Sequence, residues 1–159
     1  MSIAIYPGSF DPFTNGHMNI LNHAANIFDK VYVMVMPHPN KQRLTDDTEM
    51  GNLIMSIAKE HWSNVEVAVP LSGLTYKEAH RLNCAYLVRG IRNNGLDYSY
   101  EENLAEFNQK VGGIDTIFIR ADKDKYISST MIRTLLANGE SVASYVPSAV
   151  NKYLRSFCR

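Results

Sequence analysis

Thr14-Asn-Gly-His17 is the densest piece of potential chemistry in the chain. A hydroxyl, a glycine and an imidazole follow a turn-forming run, Pro7-Gly-Ser-Phe-Asp-Pro12, itself preceded by the apolar residues 3–6. A glycine turn running into a helix N-terminus presents backbone N–H groups, and such ends hold phosphate. Gly16 would let the backbone come close to an anion, and His17 would aim a compact donor at it from the first helical turn. The same spacing also suits a plain Asn-Gly turn with a solvated histidine, so this segment alone leaves two readings open. Neither a Gly-x-x-x-x-Gly-Lys-Ser/Thr loop nor a Gly-x-Gly-x-x-Gly fingerprint occurs among the nine glycines. P-loop hydrolysis and dinucleotide redox chemistry are thereby demoted.

Other candidates are cations and hydroxyls. Lys41 stands on a Pro/His/Asn loop, where an exposed surface lysine is the bland alternative. Arg89 and Arg92 follow an apolar run, and their forked guanidinium groups suit phosphate oxygens; a pair of surface salt bridges is the alternative. Ser128, Ser129 and Thr130 follow the polar run Asp122-Lys-Asp-Lys-Tyr126 and introduce a helix. Capping explains one hydroxyl, while three in a row favour a phosphate.

The elements that must position these groups read clearly. Apolar runs at residues 3–6, 31–36, 65–69, 85–88 and 116–119 predict short buried strands. Helical periodicity fills the gaps: Ile20, Leu21, Ala24, Ala25 and Phe28 in the first, then residues 46–59 and 75–82. In the fourth helix Leu96, Tyr100, Leu104, Phe107 and Val111 repeat as a core stripe. A fifth carries Met131, Ile132, Leu135 and Leu136 and stops at Asn138-Gly139, and a short one follows Pro147. Strands alternating with helices imply parallel crossovers and an α/β doubly wound five-stranded parallel sheet, Rossmann-like, in a single domain over 1–159. Ligands of such sheets sit beyond the carboxyl ends of the strands, so the candidate loops should converge on one crevice.

Sixteen basic residues balance sixteen acidic ones, which removes any global attraction to nucleic acid or membrane. Two distant cysteines, Cys84 and Cys158, fit a reducing, cytoplasmic setting, with Cys84 read as core. No apolar run approaches the roughly 20 residues of a membrane helix, and no basic leader precedes a long apolar stretch. No Cys/His cluster has metal-ligand spacing.

With Pro7-Gly-Ser-Phe-Asp-Pro12 before it, Thr14-Asn-Gly-His17 resembles the T/H-x-G-H nucleotidyltransferase superfamily, and within it the bacterial pantetheine-phosphate adenylyltransferases. Leu87-Val-Arg-Gly-Ile-Arg92, Tyr100-Glu101 with Asn108, and Ile127-Ser-Ser-Thr-Met-Ile-Arg133 are similar to that family's later motifs, in the same order. The resemblance implies adenylyl transfer from ATP to 4′-phosphopantetheine, giving dephospho-coenzyme A and pyrophosphate. It implies catalytic roles for His17, Lys41 and Arg92. ATP would lie along Ser9, Phe10, His17, Gly90, Ile91, Arg92 and Glu101, and against Asp124, Lys125, Tyr126, Ile127, Ser128, Ser129 and Thr130. The acceptor would touch Ser9, Lys41, Leu74, Thr75, Arg89 and Asn108. The family's lysine is often followed by a second lysine and a proline, where this chain has Gln42-Arg43, and residues 93–97 suggest a loop one residue longer than usual. Mg²⁺ carried mainly on the ATP phosphates, a homohexamer and coenzyme A as a feedback ligand are implied as well, with no protein metal site. The near alternative is a related transferase using CTP or a nicotinamide mononucleotide acceptor. Thr14, Lys41 and Tyr100-Glu101 weigh against it. A non-catalytic nucleotide or coenzyme A sensor is the rival of another class; intact His17, Lys41 and Arg92 argue against it, since a sensor would need none of the transition-state donors.

Overall fold

Alternation along the first strand decides which side each residue faces. Ala4 and Tyr6 enter one hydrophobic core, whereas Ile5 between them enters a second on the opposite face. Val31, Val33 and Val35 likewise separate from Met34. Strands buried on both faces belong to a parallel sheet covered by helices. A computed structural model describes residues 1–92 and 95–157, and the side chains of residues 95–101 lie outside what it describes. Its elements are β1 (Ile3–Gly8), α1 (Asn15–Ile27), β2 (Lys30–Val35), α2 (Asp47–His61), β3 (Val65–Ala68), α3 (Thr75–Arg81), β4 (Tyr86–Ile91), α4 (Gly95–Gly112), β5 (Asp115–Arg120), α5 (Ser129–Ala137) and α6 (Ser148–Arg155).

The five strands form one parallel sheet in the order β3-β2-β1-β4-β5. The chain winds outward from β1 to β3, then returns to the other side of β1 with β4. The order therefore reverses between β1 and β4, and the crevice beyond their carboxyl ends is where such a sheet binds ligands. One core lies under α1, α2, α5 and α6, and the smaller one under α3, around Ile5, Leu87 and Ala79.

Helix starts follow from their caps. Thr14 accepts the N–H of His17 while the His17 ring accepts the N–H of Thr14, a reciprocal capping box. Asp46 caps α2 through Glu49 N–H at 2.9 Å, and Ser128 caps α5 through Met131 N–H at 3.1 Å. Helix α5 ends where expected, with Gly139 at φ +74°.

Two expectations need correction. Arg89, Gly90 and Ile91 do not follow the fourth strand. They are its last three residues, paired with Phe118, Ile119 and Arg120 of β5. Arginine and glycine masked the strand's continuation in the sequence. The second correction concerns α4. Phe107 is 47% and Val111 56% exposed, while the polar Asn108 is buried. The helix turns its amide inward and leaves part of its apolar stripe facing outward, with Phe107 edge-on to Tyr76 of α3.

Candidate functional site

A cavity of about 320 Å³ opens at the carboxyl ends of β1 and β4. Its floor is the end of β1 with the turn after it (Gly8, Ser9, Phe10), and one wall is Arg89, Gly90 and Ile91 of β4. Opposite stand the first turns of two helices, Gly16 and His17 of α1 and Ser128, Ser129 and Thr130 at the start of α5. N–H groups in a first turn have no intrahelical acceptor, so two positive helix ends face the same space. Lys41, Arg89, Arg92 and Arg133 add four cationic side chains. An anion of high charge density is the ligand such a lining fits.

Local packing explains the convergence. A Cβ on Gly90 would meet Ile20 of α1 at 2.7 Å, so glycine is what lets α1 lie directly on β4. Gly16, which lines the cavity, also has a packing role. A Cβ there would sit 3.2 Å from the Ile127 carbonyl, so its missing side chain admits the segment before α5.

His17 is held on three sides. The Phe13 ring stacks on it at 5.4 Å, and the Phe10 ring meets it edge-on at 4.9 Å. The backbone N–H of Thr14 donates to Nδ1 at 3.0 Å. With Nδ1 accepting, the neutral ring carries its proton on Nε2, which makes that nitrogen the donor. Burial and the nearby Arg92 charge push the pKa from 6.5 down to about 4. The ring is therefore a neutral donor at physiological pH.

This lowering has a measurable sign. Between the unfolded and folded pKa values the unfolded chain binds the extra proton, so the contribution is present above about pH 6.5 and is lost as pH falls towards 4. Urea unfolding at about pH 7 and about pH 4.5 should show His17 alone removing roughly 2 kcal/mol at the lower pH. A His17→Gln variant, which can keep the capping bond, should show a correspondingly shallower loss. An unchanged difference between the two pH values in that variant would contradict the partly buried, neutral ring.

The turn that carries Ser9 and Phe10 is locked by residues for which the sequence suggested no role. The Asp11 carboxylate, buried, accepts from Leu44 N–H at 2.9 Å, Thr45 N–H at 2.8 Å and the Thr45 hydroxyl at 2.7 Å. Arg43 donates to the carbonyls of Ser9 at 2.6 Å and Thr45 at 2.9 Å. The Gln42-Arg43 departure from the family pattern thus brings an arginine that ties the Lys41 loop to the β1 turn. Arg133 donates to the Asp11 carbonyl at 2.7 Å and to Thr130 Oγ1 at 3.1 Å. Phe10 sits in the left-handed region (φ +44°), a conformation that non-glycine residues hold only when packing compels it. The contacts of Asp11 with Leu44 and Thr45, of Arg43 with Ser9 and of Arg133 with Asp11 join residues some thirty to 120 apart, and no local pattern announces them.

The other expected residues divide. Asp124 and Ile127 line the cavity, while Lys125 and Tyr126 between them do not. Leu74 and Thr75 lie outside the lining; the Thr75 hydroxyl donates to Met36 Sδ at 3.5 Å, placing it beside the end of β2. Asn108 is buried and donates to the Leu104 carbonyl of its own helix at 2.9 Å, also away from the lining. The side chain of Glu101, and with it the Tyr100-Glu101 motif, lies outside the described residues, as do residues 93–94. The three hydroxyls before Met131 each have a protein partner: Ser128 caps α5, Ser129 donates to the Pro12 carbonyl at 2.7 Å, and Thr130 accepts from Arg133. Cys84 is buried core with its thiol pushed up to about 11 by burial, hence unreactive.

The chain matches the cytidylyltransferase-like family model over residues 5–135. It is 38% identical over 157 residues to the phosphopantetheine adenylyltransferase of Leuconostoc mesenteroides, covering 98% of this chain and 95% of that protein. With the Lactobacillus acidophilus protein of the same name it is 37% identical over 161 residues, covering 100% and 99%. Among solved structures it superposes on a nicotinic acid mononucleotide adenylyltransferase of Plasmodium falciparum complexed with NaAD, with a TM-score of 0.67 at 20% identity, covering 98% of this chain and 95% of that one. A putative nicotinate-nucleotide adenylyltransferase from Vibrio parahaemolyticus gives a TM-score of 0.65 at 20% identity, covering 98% and 99%. At that identity the structural likeness speaks for the fold.

Proposed function

The chain belongs to the phosphopantetheine adenylyltransferase family, and from that premise we propose how its cavity carries out the reaction. The reaction is the reversible transfer of the adenylyl group of ATP to 4′-phosphopantetheine, giving dephospho-coenzyme A and pyrophosphate. A phosphate oxygen of the acceptor attacks the α-phosphorus in line. The new P–O bond forms as the bond to the bridging oxygen breaks, and pyrophosphate leaves with that electron pair. The attacking phosphate is already an anion, so no protein nucleophile or general base is needed. The protein's task is to bring two anions together and to stabilise charge on the transferring group.

The observation that carries this reading is the His17 ring, fixed as a neutral Nε2–H donor at the meeting point of two helix N-termini and four cations. It donates to the α-phosphate oxygens as their charge grows, with Arg92 beside it. Lys41 and Arg89 hold the acceptor phosphate, and Ser9 touches both reactants. The first turn of α5, with Ser128, Ser129 and Thr130, takes the β- and γ-phosphates. Gly90, Ile91 and the segment containing Asp124, Lys125, Tyr126 and Ile127 flank the nucleoside. Leu74, Thr75 and Asn108 belong to the pantetheine arm, and Glu101 to the ATP side. Bound through the ATP phosphates, Mg²⁺ would supply charge neutralisation on the triphosphate. Among the described residues the lining is rich in cations and hydroxyls, with Asp124 its one carboxylate, which suits an ion that arrives on phosphate oxygens.

The enzyme is one domain over 1–159 and works in the cytoplasm, with coenzyme A as a feedback ligand. Among the described residues, no helix is long and apolar enough to cross a membrane. Exposed Phe107 and Val111 on α4 and Leu74 before α3 support assembly, as a homohexamer, through that face. Pyrophosphate release with ATP across a panel of phosphorylated acceptors tests the assignment. Release is expected with 4′-phosphopantetheine. Release only with nicotinate or nicotinamide mononucleotide, or only with CTP as donor, would overturn it.

A further inference from the structure

Asn19 is buried on α1, two residues past His17. A buried amide is tolerated when its polar groups are bonded, and here both are bonded to one residue. Nδ2 donates to Asp122 Oδ1 at 2.6 Å, and Oδ1 accepts the backbone N–H of Asp122 at 3.2 Å. Two opposed bonds from one planar amide fix the orientation of Asp122 as well as its place. One turn further along the same helix, His23 Nε2 lies 3.2 Å from the other carboxylate oxygen. The bond from Asn19 and the proximity of His23 hold the Asp122 carboxyl below its usual range.

Asp122 begins the segment that runs from β5 to the cap of α5, and Asp124 and Ile127 of that segment line the cavity. Its far end is fastened by the Ser128 cap and by Ser129 on the Pro12 carbonyl. Between the two ends Asp124 adopts φ +56°, and its carbonyl accepts Ile127 N–H at 3.1 Å. The near end is held by Asn19. The helix that carries the phosphate donor thus also carries the fastener of this segment.

We propose that Asn19 is a positioning residue for the nucleotide: through Asp122 it sets the distance between the segment that receives the adenosine end of ATP and the His17 donor. This rests on the reading that residues 124–130 bind ATP. The acceptor residues Lys41 and Arg89 stand on other elements, and the Lys41 loop has its own fasteners in Arg43 and Asp11. Disturbing Asn19 therefore acts on one substrate and spares the other.

In the full-length protein, Asn19→Ala is expected to raise both the KM and the calorimetric Kd for ATP about ten-fold, the size of one charge-assisted hydrogen bond. The KM for 4′-phosphopantetheine should stay within about two-fold. Asn19→Asp sets a second carboxylate against Asp122 and should weaken ATP similarly. Combining Asn19→Asp with Asp122→Asn restores a donor–acceptor pair of reversed polarity and should recover most of the ATP affinity. An unchanged ATP Kd in Asn19→Ala, parallel rises for both substrates, or no recovery in the exchange would overturn the proposal. If Asn19→Ala fails to fold, the exchange pair decides alone. Wild-type protein that binds ATP but ignores 4′-phosphopantetheine would fail the functional reading, while the ATP Kd series still judges the clamp.

Discussion

His17→Ala lowers turnover by roughly 10²–10³ while ATP binding stays within several-fold, because a donor that acts on developing charge contributes little to the ground state. The geometry makes the expectation sharp. Nδ1 is occupied by the Thr14 N–H, so the lost group is the Nε2–H, and a lost base does not enter the account. The truncation also removes half of the capping box, which costs about 1 kcal/mol of stability. His17→Gln separates the two effects. Glutamine at the third helical position can still accept the Thr14 N–H, so stability should return while turnover remains low. Pyrophosphate release under saturating substrates, with thermal midpoints measured in parallel, provides the comparison. Near-normal turnover in His17→Ala would end the catalytic assignment.

Asp11→Ala should be the most damaging single change to the fold near the site. The carboxylate satisfies two backbone N–H groups and the Thr45 hydroxyl, and its Oδ1 lies 4.0 Å from Arg43. Its removal strands these donors in a buried pocket, for an expected loss of about 3 kcal/mol. Burial works against its ionised form, yet the bonds from Leu44 and Thr45, aided by Arg43, hold the carboxyl below the usual 3.8. Its contribution is thus present above that value and fades as pH falls through the lower folded pKa. Because the same latch carries the Lys41 loop, the KM for the phosphorylated acceptor should rise more than that for ATP. Urea midpoints and the two KM values measure this. A midpoint equivalent to within about 0.5 kcal/mol of wild type would refute the latch.

The parts of the site that the sequence reveals are those that a short pattern can encode. The Thr14 to His17 run and the hydroxyls before Met131 each announce themselves within a few consecutive residues. The same local logic finds all five strands and six helices, with ends off by a few residues. It fails at β4, where Arg89 and Gly90 look like loop but are held in the sheet by pairing with Phe118 and Ile119. It fails again on α4, where Phe107 and Val111 match the helical period but lie beyond the reach of the core. Hidden most completely are the fasteners: Asp11 with Thr45, Arg43 with Ser9, Asn19 with Asp122. Each joins two loops or a loop and a helix, and an ordinary polar residue in a polar segment carries no mark of a distant partner.

The strand order has a consequence for how the molecule comes into being. β1 is the first strand made and the middle one of the sheet, yet its neighbour β4 begins at Tyr86, paired with Ala4. A nascent chain can zip β1, β2 and β3 together early, since those contacts are close in sequence. The cavity has no second wall until β4 arrives and no roof until α5 follows. Half of this protein is therefore a sheet with a bare flank and no partial activity, and competence appears only when α5 is in place.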